Sequence, residues 1–338
     1  MDPVTHLMTG AVLARSGFNR KAAYATLAMT LAAEAPDLDV LWSVRGPIAA
    51  FQHHRGWTHT FLGLPLEAAV VVAVVWLFHR WRSRRGKGAE PAAPIRWRLL
   101  YVFALIALLS HLLLDWTNNY GVRPFFPFNP RWYAGSLVFI IEPVIFALLL
   151  IGLVAPALFG LINNEVGVQK PKFRGRGWAI TALAGIVILW GWRAVEQHSA
   201  VQLALNSDYG KVQGSVYIIR AAAEPYPINP FVWHVIVETP DFYQLATVNT
   251  FDDTIATDEH NDVIYKPAET PATLAAKRSW LGRVYLDWSK IPLVAATATD
   301  PVTGTTEVNF SDLRFMYDTP FTHSRENPPL SGKVTVDA

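Results

Sequence analysis

The sequence has 338 residues and a formal net charge of only +2; 51% of its residues are hydrophobic and 17% are charged. This balance is too apolar for an ordinary soluble protein, and the small net charge gives no reason to expect nucleic acid as a partner. Because the chain has no cysteine, disulfides, cysteine-ligated zinc and thiol nucleophiles are excluded. Any metal must therefore be held by His, Asp or Glu.

Four apolar stretches are candidates for membrane spans, since about 20 residues are needed to cross a bilayer. They cover residues 61–79, 99–114, 136–162 and 178–195. Residues 22–35 form a shorter, moderately apolar stretch, which is typical of an interfacial or re-entrant helix that Pro36 would end. We therefore expect about four transmembrane helices and one N-terminal interfacial segment.

Basic residues are concentrated in two short connections, at residues 80–98 and after residue 162. Lys and Arg in short loops remain in the cytoplasm. This rule predicts that residues 1–60, the loop 115–135 and the chain after residue 196 lie on the outer face of the membrane.

The composition changes from about residue 199 onward. Runs rich in β-branched and aromatic residues, such as 214–219 and 231–237, alternate with Pro, Asn and Asp clusters, which are strand and turn signals. The sequence predicts an α+β protein with a helical membrane domain at 1–198 and a mainly β extramembrane domain at 199–338. An irregular, proline-rich tail is expected after Tyr317.

Histidines and aspartates lie beside the predicted spans. His54-Arg-Gly-Trp-Thr-His59 precedes the first span, and His111-Leu-Leu-Leu-Asp115 ends the second. Residues four apart on a helix share a face, so the side chains of His111 and Asp115 can reach the same point in space. The expected orientation places both motifs on the same membrane face as His6, Asp37 and Asp39.

A mixture of imidazole and carboxylate ligands suits zinc or manganese, as one ion or as a pair that shares a carboxylate. Such an ion activates water, which makes the protein a candidate hydrolase. The alternative is a set of hydrogen-bonded polar groups that only fixes helix packing. In that case the protein would be a non-enzymatic membrane scaffold or regulatory protein with a structural metal or polar cluster.

Two acidic residues fall inside predicted spans, namely Glu67 and Glu142. Acids within a membrane are functional candidates by default. Glu142 is the stronger candidate because Pro143 frees a backbone carbonyl that could line a polar cavity.

The order of the motifs resembles that of a known family. Thr5-His6-Leu-Met-Thr-Gly10, Pro36-Asp37-Leu-Asp39, His54-Arg-Gly-Trp-Thr-His59 and Ser110-His111-Leu-Leu-Leu-Asp115 are followed by Tyr120-Gly121 and Pro124-Phe125. This succession, over about the first 160 residues, resembles the YdjM-like family of inner-membrane, metal-dependent hydrolases, whose members also carry the label LexA-binding. The resemblance implies a bacterial multi-span membrane protein with a divalent metal.

The pattern is also similar to the zinc-dependent phospholipase C and P1 nuclease group. On that analogy Asp37 or Asp39, His59, His111 and Asp115 would surround one metal, while His6 and Asp115 would bind a second. Phosphoester hydrolysis is then the leading chemistry. The chain departs from the pattern in carrying Glu142-Pro143 where YdjM-like proteins usually have Asp-Pro, and no further His-rich zinc cluster is found.

The leading hypothesis is a multi-pass hydrolase of the bacterial inner membrane, with its metal site and C-terminal domain on the periplasmic side. It is expected to act on a lipid-linked phosphoester, so membrane lipids and this substrate are the expected partners. His6, Asp37, Asp39, His59, His111 and Asp115 are the candidate ligands. His54, as a proton carrier, and Glu142, as an acid, are candidate catalytic residues. Arg55 is predicted to neutralise a substrate phosphate.

Overall fold

A computed structural model gives the fold and describes residues 1–86, 91–165, 173, 175–206, 217–258, 262–317 and 328–337. The chain divides into two compact units. We call Met1–Val44 with His53–Trp192 the first unit, and Arg45–Gln52 with Arg193–Ala338 the second unit. Helices dominate the first and antiparallel sheets the second, which confirms the predicted α+β class.

Nine α-helices lie in the described part of the chain. They are α1 Pro3–Arg15, α2 Ala25–Glu34, α3 Pro47–His53, α4 Leu64–Arg84, α5 Trp97–Thr117, α6 Pro143–Glu165, α7 Arg176–Asn206, α8 Pro271–Arg278 and α9 Trp280–Trp288. Short 3₁₀ segments include Ala35–Arg45 and Trp57–His59. The predicted domain boundary at residue 198 lies within α7, and the two units divide in the same helix between Trp192 and Arg193.

Three of the described helices are long and apolar enough to cross a membrane, namely α4, α5 and α7. The remaining predicted span corresponds to α6, whose described apolar stretch, Pro143–Phe159, is shorter. Part of the basic connections lies outside the described residues, including residues 87–90 and 166–172.

The first turn of α1 was not expected from the sequence, although its signal is clear in retrospect. Asp2 caps the helix by accepting a 3.0 Å hydrogen bond from the Thr5 backbone N–H, and Pro3 occupies the first helical position. Gly10 faces α2 so closely that a Cβ there would lie 2.4 Å from the carbonyl oxygen of Met29. Glycine is therefore what allows α1 to pack against α2.

Small residues fill the core between α1, α2, α4 and α5. Ala28, Ala32, Ala68, Ala104 and Ala107 are all fully buried there. Small side chains let helices approach closely, which is how helices pack when lipid surrounds them. The close packing holds α5, which carries His111 and Asp115, against the end of α2.

The third predicted span begins later than expected. Residues before Pro143 are not helical; Leu137 and Val138 instead donate to the Thr117 carbonyl at 2.8 and 3.1 Å. Pro143 then starts α6, because its fixed φ suits the first helical turn and it has no N–H to satisfy. Glu142 thus directly precedes the helix and, contrary to expectation, does not lie within it. Glu67, in contrast, lies within α4, in its first turn.

The second unit contains two antiparallel sheets. The first has the order β1 Arg220–Pro225, β2 Val232–Glu238, β3 Phe242–Asn249 and β4 Thr254–Ala256, with β5 Val263–Tyr265 also paired to β3. The other has the order β6 Pro292–Ala296, β7 Thr305–Asp312 and β8 Gly332–Asp337. Trp233, Val235 and Val237 of β2 pack with Ala200 and Ala204 of α7, which makes β2 the central buried strand.

One sequence prediction for this unit falls partly outside the described residues, and another needs correction. The strand expected at residues 214–219 starts outside the described residues, and β1 begins only at Arg220. The tail after Tyr317 is not wholly irregular, because β8 pairs with β7 from Gly332 to Asp337. The alternation of Val334 and Val336 with polar residues is the strand signal there.

Candidate metal centre

His111 and Asp115 lie one turn apart on α5, and both side chains are fully buried. The Nδ1 of His111 lies 2.7 Å from the Ala33 carbonyl oxygen, at the end of α2. Nδ1 must be the donor, since a carbonyl only accepts. This hydrogen bond fixes the tautomer and turns the unprotonated Nε2 toward the centre of the first unit.

Asp37 and His59 approach the same point from the two 3₁₀ segments. The Nε2 atoms of His59 and His111 are 3.0 Å apart. Asp37 Oδ1 lies 3.5 Å from Nε2 of His59 and 3.6 Å from that of His111. Asp115 Oδ2 lies 3.4 Å from both nitrogens. Two imidazoles and two carboxylates therefore converge, with all four ligand atoms within 4.8 Å of one another.

These separations fit a metal ion. Four ligands at about 2.0–2.1 Å from a zinc ion in a tetrahedron lie about 3.3 Å from one another. Asp115 Oδ2 is buried, yet it has no hydrogen-bond partner among the described residues. A buried carboxylate oxygen that lacks a partner is costly, and a cation held between the two imidazoles would satisfy it. The four residues thus form a cage that could bind a divalent metal.

The second oxygen of Asp115 has its own set of partners. Asp115 Oδ1 accepts a 2.7 Å hydrogen bond from Arg55 Nη2 and lies 3.3 Å from His6 Nε2. The α-amino group of Met1 contacts the same oxygen and lies 3.0 Å from His6 Nε2. The His6 ring stacks on His111 with their centroids 3.7 Å apart. His6 therefore lies next to the cage, on the far side of Asp115, where a second ion was predicted.

Arg55 is buried within the site. Besides Asp115, its guanidinium donates to the Gly121 carbonyl at 2.8 Å and to Asn118 Oδ1 at 3.3 Å, and it lies over the Tyr120 ring. These contacts neutralise Asp115 and hold the loop that follows it. The predicted binding of a substrate phosphate by Arg55 remains a prediction.

Asp39 lies behind the cage. Its Oδ2 accepts a 2.7 Å hydrogen bond from the Arg55 backbone N–H and is 3.6 Å from Nδ1 of His59. Its Oδ1 is 3.2 Å from Nδ1 of His54. Of the two candidate aspartates, Asp37 joins the four-residue cage, while Asp39 supports His59, His54 and the Arg55 backbone.

The remaining predicted residues lie around this centre or away from it. The side chain of His54 is 38% exposed, which makes it the imidazole of the motif with access to solvent. Glu142 is buried at the start of α6, where its Oε1 accepts a 3.4 Å hydrogen bond from the Val144 N–H. Glu142 is not among the four residues of the cage.

Two residues of the site were not identified from the sequence. Asn118 is buried, and its Oδ1 accepts hydrogen bonds from Tyr120 N and Gly121 N at 2.9 and 3.3 Å. Glu34, at the end of α2, has its pKa raised to about 7 by burial and by the charge of Asp37. Asn118 could have been suspected from its place three residues after Asp115 in a turn-rich loop. Glu34 gives no such signal.

The surroundings of His6 and His59 shift the pKa values of these two histidines in opposite directions. Burial lowers the pKa of His6 to about 3, so this imidazole is neutral. Burial alone would also lower the pKa of His59, but the neighbouring carboxylates of Asp115 and Asp37 outweigh it and raise that pKa above 6.5. Without a metal, the carboxylates of Asp115 and Asp37 thus favour the protonated form of His59.

The affinity for a divalent metal should therefore depend on pH. Metal must displace the proton from His59, so below the raised pKa the affinity should fall about tenfold for each pH unit. Competition titration with a chromophoric chelator, from pH 5.5 to 8.5, measures the slope. Because the pKa lies above 6.5, the affinity should still be rising at pH 6.5. An affinity that levels off below that pH would contradict the assignment.

Comparison with known proteins identifies the family. The family model of the YdjM inner membrane protein matches residues 1–200, which is more than half of the chain. The chain belongs to the YdjM inner membrane protein family. The resemblance predicted from the motifs is thereby confirmed, and the family together with the three apolar helices supports association with the membrane.

One curated relative of this YdjM family protein is the uncharacterized protein YfhP of Bacillus subtilis (strain 168), which is 27% identical over 154 residues. The match covers 43% of this chain and 43% of the relative. No solved structure matches the chain significantly. All four residues of the cage, and His6, lie within the part that the YdjM family model matches, whereas β1–β8 lie beyond it.

Proposed function

We propose that the protein is a membrane-bound, metal-dependent hydrolase that cleaves a phosphoester. The observation that carries this proposal is the convergence of Asp37, His59, His111 and Asp115, in which the buried Oδ2 of Asp115 lies 3.4 Å from Nε2 of both imidazoles. Mixed imidazole and carboxylate ligands favour zinc, with manganese as the alternative. Asp115 Oδ1 and His6 Nε2 would bind a second ion only if that ion displaced the α-amino group of Met1, which contacts both atoms.

A metal held in this cage would lower the pKa of a water molecule and stabilise charge on a phosphoryl oxygen. The protein's own residues provide the rest. Arg55 holds Asp115 through Oδ1, which leaves Oδ2 to face the cage. Thr58 Oγ1, which lies 3.0 Å from Nδ1 of His59, and the Ala33 carbonyl, which accepts from Nδ1 of His111, orient the two imidazoles. Asp39 Oδ2 lies 3.6 Å from the same nitrogen of His59. His54, half-exposed and paired with Asp39, is placed to exchange protons with solvent.

The orientation of the site follows from the two ends of α4 and α5. His59 lies just before α4, and Asp115 lies at the end of α5. Arg80, Arg82, Arg84 and Arg85 end α4 or directly follow it, and Arg96 and Arg98 begin α5. Basic residues mark the cytoplasmic side. We therefore propose that the metal centre lies at the opposite, periplasmic surface.

An apolar groove supports a lipid-linked substrate. A cavity of about 340 Å³ is lined by Phe61, Leu109, Leu112, Leu113, Trp116, Val122, Pro124, Phe125 and Tyr133. Residues that line the groove lie close in sequence to residues of the cage. Phe61 is two positions after His59, and Trp116 directly follows Asp115. Backbone hydrogen bonds connect residues that line the groove, among them Phe61 N to Pro124 O at 2.9 Å. A hydrocarbon chain lying there would have its phosphoester end near the metal centre.

Hydrolysis assays test the proposal. Purified wild-type protein loaded with zinc or manganese should hydrolyse phosphoesters, and a long-chain lipid phosphoester should be preferred over a soluble aryl phosphodiester. His59→Ala should lower kcat/KM by about a thousandfold, because a catalytic metal supplies several kcal/mol of transition-state stabilisation.

His198→Ala is the matched control, since His198 is exposed on α7 and lies outside the cage. It should keep wild-type activity. Failure of the metal-loaded wild type to hydrolyse any phosphoester would contradict the proposal that the protein is an enzyme. That result would favour a scaffold protein with a structural metal. Equal rates on short and long substrates would contradict the role of the groove.

A further inference from the structure

The last part of α7, residues 193–206, belongs to the second unit and packs on the first sheet through Ala200 and Ala204. It directly follows Trp192 in a helix that is long and apolar enough to cross a membrane. Trp192 is 40% exposed, as is typical of a tryptophan at a bilayer surface. Where α7 crosses a membrane, any residue that contacts Arg193 therefore lies near the point at which the chain leaves the bilayer.

The turn between β1 and β2, at residues 226–231, contacts Arg193. The Arg193 guanidinium donates to two carbonyls of this turn, among them that of Asn229 at 2.9 Å. About one helical turn later, Gln197 Nε2 donates to the Ala223 carbonyl within β1 at 3.2 Å. From Gln197 back to Arg193, the contacts thus move from the strand to the turn. The turn therefore points toward the end of residues 193–206 that is joined to the apolar stretch.

A second turn, between β3 and β4, lies beside the first. Thr250 N donates to the Phe231 carbonyl at 2.9 Å, and Thr250 Oγ1 donates to Glu196 Oε2. The rings of Phe231 and Phe251 pack edge to face, with their centroids 5.3 Å apart. Because Glu196 is three residues after Arg193, it lies only about 4.5 Å further along the helix axis. Both turns are thus held at the same end of this part of α7.

The two turns expose large apolar side chains. Ile228 is 67% and Phe251 is 76% exposed. We call Ile228, Phe231 and Phe251 the apolar tip. Exposed apolar side chains that cluster on one surface indicate contact with a protein or a membrane. Neither residues 226–231 nor residues 250–253 contain Lys or Arg, so the apolar tip has no basic group that would attract anionic headgroups.

The backbone of the first turn holds Ile228 outward. Its φ is +69°, which is unfavourable for a β-branched residue. Pro227 and Pro230 restrict the turn on both sides. Phe231 N also donates to Asn229 Oδ1 at 3.0 Å. A turn that is already ordered loses little conformational freedom when it binds.

We propose that the apolar tip is a membrane-contact surface, which enters the leaflet from which α7 emerges. Its partner is the apolar boundary of the bilayer, without a requirement for anionic lipid. The headgroup region of one leaflet is roughly 5–8 Å thick, which side chains held beside Arg193 can reach. This contact requires that α7 crosses the membrane, and it is independent of the proposed hydrolase activity. It gives a role to the second unit, whose sheets lie beyond the family match.

Lipid quenching on the full-length protein tests the contact. Because the chain has no cysteine, Ile228→Cys and Phe251→Cys can each be labelled with the fluorophore NBD. In phosphatidylcholine nanodiscs, lipids that carry a nitroxide on the headgroup should quench both labels. Tyr265→Cys is the matched control, since Tyr265 is 66% exposed and pairs with Phe242 at the other end of β3. Quenching should be at least about threefold stronger at Phe251→Cys, because β3 separates the two positions by up to roughly 23 Å.

A charge in the apolar tip should weaken the contact. Adding Ile228→Asp to Phe251→Cys should reduce the quenching, because a carboxylate opposes entry into the bilayer boundary. Adding Tyr265→Asp instead should leave the quenching unchanged. Equal quenching at Phe251→Cys and Tyr265→Cys would overturn the proposal. If Phe251→Cys does not fold, the comparison of Ile228→Cys with Tyr265→Cys decides.

Two further outcomes would also overturn the proposal. The first is an NBD label at Ile188→Cys, 70% exposed in α7, that lipids with a nitroxide on the acyl chain do not quench. That result would show that α7 does not cross the membrane. The second is a blue-shifted emission at Phe251→Cys without quenching, which would show that protein and not lipid covers the apolar tip.

Discussion

Replacing His111 with alanine should abolish stoichiometric binding of zinc. The imidazole offers one of four ligand atoms, and its Nε2 lies within 3.6 Å of the nearest atoms of His59, Asp37 and Asp115. Changes in residues that only support ligands cost about 10–100-fold in affinity, so loss of a ligand should cost more than a hundredfold. Metal analysis of purified protein and competition titration measure the effect.

His198→Ala again serves as the control and should retain the full metal content. Asp115→Asn should behave like His111→Ala, because an amide cannot supply the charge of the carboxylate. A His111→Ala protein that purifies with as much metal as wild type would show that the four residues form only a hydrogen-bonded cluster.

Replacing Arg55 with methionine should destabilise the metal-free protein by about 3–5 kcal/mol, the cost of breaking a buried ion pair by removing one partner. Asp115 is fully buried and Arg55 nearly so. Once metal is bound beside Asp115 Oδ2, part of the carboxylate charge is compensated. The loss should therefore be smaller in the metal-loaded protein. Denaturant titration in detergent micelles, with and without chelator, measures both free energies of unfolding.

The matched control for Arg55→Met is Arg131→Met, since Arg131 is exposed in the loop between α5 and α6. Its free energy of unfolding should change by no more than about 0.5 kcal/mol. An equal loss for Arg55→Met with and without metal would mean that Arg55 acts through its hydrogen bonds to Gly121 and Asn118, and not through its charge.

Much of the first unit could be predicted from local patterns. The apolar stretches gave the approximate positions of α4, α5 and α7, and the four-residue spacing placed His111 and Asp115 on one face. The choice between Asp37 and Asp39 could not be made, because both lie in one short segment and only its 3₁₀ geometry decides which carboxylate faces the cage. Glu142 was misplaced because hydropathy does not show where a helix begins, whereas Pro143 does.

Long-range packing explains what the sequence did not reveal. Nothing in Pro47-Ile-Ala-Ala-Phe51 indicates that its partner lies on α9, more than 200 residues later. Glu34 has the sequence signature of the polar end of an amphipathic helix, and its pKa is raised by burial and by the charge of Asp37, both of which depend on the tertiary fold. The strand β8 follows residues rich in proline, which hid its alternating pattern.

The discontinuous make-up of the second unit imposes an order on biosynthesis. The ribosome completes α3 long before α9, and domains fold largely as they emerge. Phe51 is therefore synthesised well before Tyr285 and Trp288, the residues of α9 on which its ring packs, and it stays without them until α9 has been made. A chain shortened after α7 would keep every residue of the cage, but it would lack α9, so Phe51 would never acquire the aromatic residues on which it packs.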